Sequence, residues 1–142
     1  MAPSLNQACI AFQGGGALGM AHLGAWQVLA RRFNIIGTAG TSAGSIVAAL
    51  CAAGYNPAHA IDLFYDLEWP EYVKPQFWLD LFRKRDGWSD GERFYQWISA
   101  RLTTYLSVQT QHVTFASLYQ ETGIYLAITA CDLLTTAEES KV

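Results

Sequence analysis

Two stretches of similar pattern decide the fold: ACIAFQGGGALGMAHLGAWQVL, Ala8 to Leu29, and IIGTAGTSAGSIVAALCAAGY, Ile35 to Tyr55. Each opens on a short apolar run, breaks at glycine and small residues, and continues with helical spacing. Ala8 to Phe12 reads as a buried strand. From Ala17 the apolar residues Leu18, Ala21, Ala25, Val28 and Leu29 recur every three or four positions, which predicts a helix. Arg31 and Arg32 close its carboxyl end, where cations suit the helix dipole. Ile35 to Ala39 reads as a second buried strand, and Ala43 to Ala53 as a helix stopped by Gly54 at C′. Strand, helix, strand, helix in this order predicts an α/β fold with a parallel sheet and right-handed crossovers.

Further along, Asn56 and Pro57 form an N-cap and N1 pair opening a helix to Leu67. Ser89 to Glu92 has the spacing of a capping box, ahead of an apolar face of Phe94, Trp97, Ile98, Leu102, Tyr105 and Leu106. Thr114 caps a short helix to Gln120, Gly123 breaks it, and Ile124 to Ala130 reads as a third buried strand.

Both glycine turns carry chemistry. Gly14, Gly16 and Gly19 fit G-x-G-x-x-G between a strand and a helix. A dinucleotide site of this kind also needs a carboxylate about 20 residues on, for the ribose hydroxyl. Asn34 to Thr41 contains none, and no Lys completes a phosphate-binding Walker loop. What the loop does offer is several backbone N–H groups at a helix N-terminus, a cradle for a developing oxyanion. Gly40, Ser42 and Gly44 fit G-x-S-x-G, again between strand and helix. There the serine sits on a sharp corner at the carboxyl end of its strand, and the glycines let strand and helix pass closely.

These two motifs together resemble the patatin-like phospholipases. The resemblance is strongest over residues 8–56 and extends more loosely through GWSDGERFYQWI, TFASLYQETG and YLAITACDL. It implies a three-layer α/β/α fold with a mainly parallel sheet, a Ser–Asp dyad and hydrolysis of lipid acyl esters without a metal or other cofactor. By position, Ser42 is the implied nucleophile, and Gly14, Gly15 and Gly16 supply the oxyanion N–H groups; in the mechanism this reading expects, the Ala43 amide is a further donor. Leu18 stands where many members carry Arg or Lys.

The implied Asp-Gly-Gly or Asp-Gly-Ala corner is not found. Asp86 and Asp90 precede glycine but follow no strand, and Asp132 ends a strand but precedes Leu133. His22, His59 and His112 have no acidic neighbour spaced to orient a triad. The expectation is that the activating Asp lies beyond Val142, that residues 1–142 are the N-terminal portion of the hydrolase domain, and that this portion alone is almost inert. Two other readings stay open: an esterase or thioesterase acting on small soluble esters, and a lipid-binding or regulatory domain without catalysis.

Trp69, Tyr72, Phe77, Trp78, Phe82 and Trp88 crowd one irregular segment beside Arg83, Lys84 and Arg85. Aromatics with adjacent cations suit a lipid–water interface, hence a peripheral membrane contact; packing over the sheet edge or a subunit contact accounts for them equally. Over 142 residues, 51% are hydrophobic and the net charge is −3, so no global basic footprint for nucleic acid exists. Cys9, Cys51 and Cys131 lack C-x-x-C spacing and read as buried free thiols of a reducing compartment. With no signal peptide or spanning segment in the sequence, the expected location is cytoplasmic, with or without membrane association.

Overall fold

A computed structural model describes residues 6–16, 19–66, 91–104, 106 and 113–131. Three parallel strands form one sheet in the order β1 (Asn6–Phe12), β2 (Phe33–Gly40), β3 (Tyr125–Ile128). The helices are α1 (Gly19–Leu29), α2 (Ala43–Ala52), α3 (Pro57–Tyr65), α4 (Glu92–Leu102) and α5 (Phe115–Thr122). The expected parallel α/β architecture is present.

Strand order equals chain order, so right-handed crossovers place their helices on one face of the sheet. A single core follows. α2 lies across all three strands and touches the other four helices, and Val47 to Ala53 are buried without exception. Leu23 and Trp26 of α1, Tyr55, Ala60 and Phe64 around α3, and Leu118 of α5 close over it. Trp26, Leu23, Leu50 and Val47 are the largest fully buried side chains. Thr38 is the buried polar residue of β2, and its hydroxyl donates to the Ala48 carbonyl of α2 at 3.0 Å. Ala48 keeps its place in the helix ladder when that bond is removed. Thr38→Val is therefore expected to cost only about 1 kcal/mol, measured by urea unfolding.

The expectation of fully buried strands fails. Cys9, Ala11, Tyr125 and Ala127 are exposed, on the sheet face opposite the helices. A short apolar run is common to a strand covered on one face and a strand covered on both. Two of the three thiols are corrected: Cys51 is buried, whereas Cys9, on the open sheet face, and Cys131, past the end of β3, are exposed, and all three are free.

Helix ends follow local chemistry. Gly54 (φ 82°) sits at C′ of α2 with Tyr55 N–H on Leu50 O at 3.2 Å and Gly54 N–H on Cys51 O at 3.0 Å, a Schellman stop. Asn56 caps α3 through Ala58 N–H at 2.9 Å. Thr114 and Ser117 form a reciprocal capping box on α5, which Gly123 (φ 71°) ends. The capping box expected at Ser89 is replaced: α4 begins at Glu92 with Gly91 as N-cap, at φ 68°, which a helical residue cannot adopt. Arg31 and Arg32 fall in the turn after α1 rather than in its last helical turn. Among the described residues no helix is long and apolar enough to cross a membrane.

Candidate active site

β1 and β2 are parallel neighbours paired through Phe12 and Gly40, so the glycine loop and the serine turn leave the sheet side by side at the same end. The turn is tied to the sheet on two sides. Thr41 N–H donates to Phe12 O at 3.2 Å, and Thr129 N–H, just past β3, donates to Gly40 O at 3.1 Å. The Thr41 and Thr129 hydroxyls meet at 2.7 Å. Gly44 N–H to Thr41 O and Ser45 N–H to Ser42 O, both 2.9 Å, close the first turn of α2, and the Ser45 hydroxyl adds a 2.5 Å bond to Ser42 O.

Ser42 stands at the apex with φ 52° and ψ −127°, the one non-glycine residue at positive φ among those described. Such a conformation costs on the order of 1–3 kcal/mol and persists only when its surroundings impose it. Here the flanking glycines impose it. A Cβ on Gly40 would lie 2.4 Å from Gly44 O, and one on Gly44 would lie 2.4 Å from Phe12 O and 2.5 Å from Gln13 O. Both contacts are backbone against backbone, so neither site accepts a side chain. Ser42 itself is exposed, with its side chain making no capping bond to α2.

The glycine loop reaches the serine. A Cβ on Gly14 would stand 3.4 Å from Ser42 Cβ and 3.5 Å from Thr41 O. Gly16 takes φ 55°, and a Cβ on Gly19 would stand 3.3 Å from Ala43 Cβ. The amides of Gly14, Gly15, Gly16 and Ala43 donate to no backbone carbonyl among the described residues. The exposed Ser42 hydroxyl thus stands at the positive end of α2, with Gly14 of the glycine loop close by.

Two other groups are placed by the structure. His22 Nε2 donates to Gln13 O at 2.9 Å, and its ring lies 5.6 Å from that of Phe12. Its sequence context alone did not reveal this bond, although a histidine one turn inside the helix after a glycine loop is the available signal. His59 packs on Tyr55 with ring centroids 5.4 Å apart. Burial pushes the Cys51 thiol up to about 12, which leaves it inert. The described carboxylates, Asp62, Asp66, Glu92 and Glu121, belong to α3, α4, α5 and the residue after α3. Asp86, Asp90, Asp132 and His112 lie outside the described residues, as does the segment containing Trp69, Trp78, Arg83, Lys84, Arg85 and Trp88.

A parallel sheet that carries a strand–serine–helix corner against a glycine loop defines the class of hydrolase-type α/β enzymes. The patatin-like phospholipase family model matches residues 10–122, and the chain belongs to that family. No curated protein and no solved structure shows significant similarity to it. Family membership brings hydrolase chemistry and lipid metabolism, and with them a lipid substrate.

Proposed function

We propose that the protein is a serine acyl hydrolase that cleaves fatty acyl esters of lipids or phospholipids, with Ser42 as nucleophile. The single observation that carries this is the strained, exposed Ser42, with Gly14 so near that a Cβ on it would stand 3.4 Å from Ser42 Cβ. Ser42 Oγ attacks the acyl carbonyl carbon while its proton passes to a carboxylate base. The carbonyl oxygen becomes an oxyanion received by the amides of Gly14, Gly15, Gly16 and Ala43. Collapse breaks the ester bond, and the departing alcohol takes up the proton. Water, deprotonated by the same base, then attacks the acyl-serine; the acyl–oxygen bond breaks, the fatty acid is released, and Ser42 Oγ takes the proton back from the base.

The base is assigned to an Asp outside the described residues, in keeping with the dyad that the family resemblance implies. The aromatic and basic residues between Trp69 and Trp88 supply the composition of a lipid-surface contact.

A fluorophosphonate probe tests the assignment directly. In the intact protein it is expected to label Ser42, and Ser42→Ala to abolish the label. An intact protein that stays unlabelled would sink the proposal. Hydrolysis of phospholipid vesicles faster than of short-chain esters is expected; the reverse order points to small soluble esters instead.

A further inference from the structure

We infer that His22 is a positioning residue that holds the first oxyanion amide in its working orientation. This rests on the assignment of the glycine loop as the oxyanion cradle. The bond at 2.9 Å ends on a carbonyl, which can only accept, so His22 must carry its proton on Nε2. Its acceptor, Gln13 O, belongs to the peptide that joins Gln13 to Gly14. Across a planar trans peptide the C=O and the N–H point in opposite directions, and no cis peptide occurs among the described residues.

Two neighbours therefore pin the carbonyl on the helix side. One is His22 of α1. The other is the Cα of Gly44 in α2, so close that a Cβ there would meet Gln13 O at 2.5 Å. The Gly14 N–H is left on the edge of the peptide opposite Gln13 O. Gly14 itself lies against Ser42.

The Gln13–Gly14 peptide rotates more cheaply than most, because Gly14 on its carboxyl side has no Cβ to resist the change in φ. A flipped Gln13–Gly14 peptide would present an oxygen where the substrate oxyanion develops, and repulsion would replace stabilisation. The imidazole N–H prevents that flip. The donated proton sits on Nε2, facing Gln13 O. His22 neither touches the reacting atoms nor moves a proton.

The test compares three variants in the intact protein. His22→Phe keeps a ring against Phe12 and removes the donor. His22→Gln places an amide N–H where Nε2 stands, and His22→Asn holds the same amide one methylene short. Phe and Asn are expected to lower both kcat and the rate of Ser42 phosphonylation by about 10- to 100-fold, less than loss of a whole oxyanion donor. KM should change by less than about two-fold, since ground-state binding is untouched. Gln should recover the rate to within about five-fold, because it restores the donor. Phe or Asn reacting as fast as the wild-type protein, Gln as slow as Asn, or a loss confined to KM would overturn the inference. If Phe lowers the melting temperature, the Gln and Asn pair carries the comparison. Failure of the hydrolase assignment itself looks different: the unmutated protein would not label at all.

Discussion

Ser42→Gly abolishes ester hydrolysis and makes the protein harder to unfold. The loss follows from the missing hydroxyl, and the gain in stability from the torsion angles φ 52° and ψ −127° at this residue. A side-chain-bearing residue held there costs on the order of 1–3 kcal/mol, because its Cβ crowds the neighbouring carbonyl. Glycine removes that cost and returns about 0.5–1 kcal/mol through the greater freedom of its unfolded chain. The expected net gain is about 1 kcal/mol, or roughly 3 °C in melting temperature for a domain of this size. Activity falls by several powers of ten, since the hydroxyl is the proposed nucleophile. Ser42→Ala is the control. It loses the same activity but keeps the Cβ, and so gains no stability. Parallel thermal melts decide the matter: equal stability of the Gly and Ala variants would mean that no strain resides at the corner.

Gly44→Ala is expected to damage fold and site together. The new methyl would stand 2.4 Å from Phe12 O, 2.5 Å from Gln13 O and 2.7 Å from Phe12 C. These are backbone atoms, and no rotamer moves them aside. The end of β1 must back away from α2, drawing the buried Phe12 ring out of the core and the glycine loop away from Ser42. A loss of about 3–5 kcal/mol is expected, at the top of the range for single substitutions. Phosphonylation of Ser42 should fall with it. Gly24 supplies the contrast, since a Cβ there meets nothing within 4 Å on the exposed side of α1. Gly24→Ala should stabilise by up to about 1 kcal/mol through helix propensity. A Gly44→Ala protein as stable as the parent in urea would contradict the packing described.

Much of this site is legible in the amino-acid order because its causes are local. A serine between glycines after an apolar run predicts the corner, and Gly54 and Thr114 announce their helix ends by their own torsional and hydrogen-bonding preferences. The features that escape are non-local. Ala8 to Phe12 has the composition of a strand enclosed on both faces. Its exposure is set by a strand order that puts the described helices on one side. Ser89 and Glu92 have the right spacing for a cap, but Gly91 between them takes a left-handed turn. His22 shows no acidic partner in sequence, and its actual partner is a main-chain oxygen nine residues earlier. A carbonyl is present at every residue, so composition carries no trace of it.

The cross-ties at Thr41 bear on how a substrate gains entry. This residue is fastened through its amide to β1 and through its hydroxyl to Thr129 beyond β3, while Thr129 grips Gly40. The turn that carries the proposed nucleophile, moored to both adjoining strands, has no hinge of its own. For the proposed lipid substrate, whatever breathing admits a bulky acyl chain must take place in the surrounding walls, with the anvil beneath standing still.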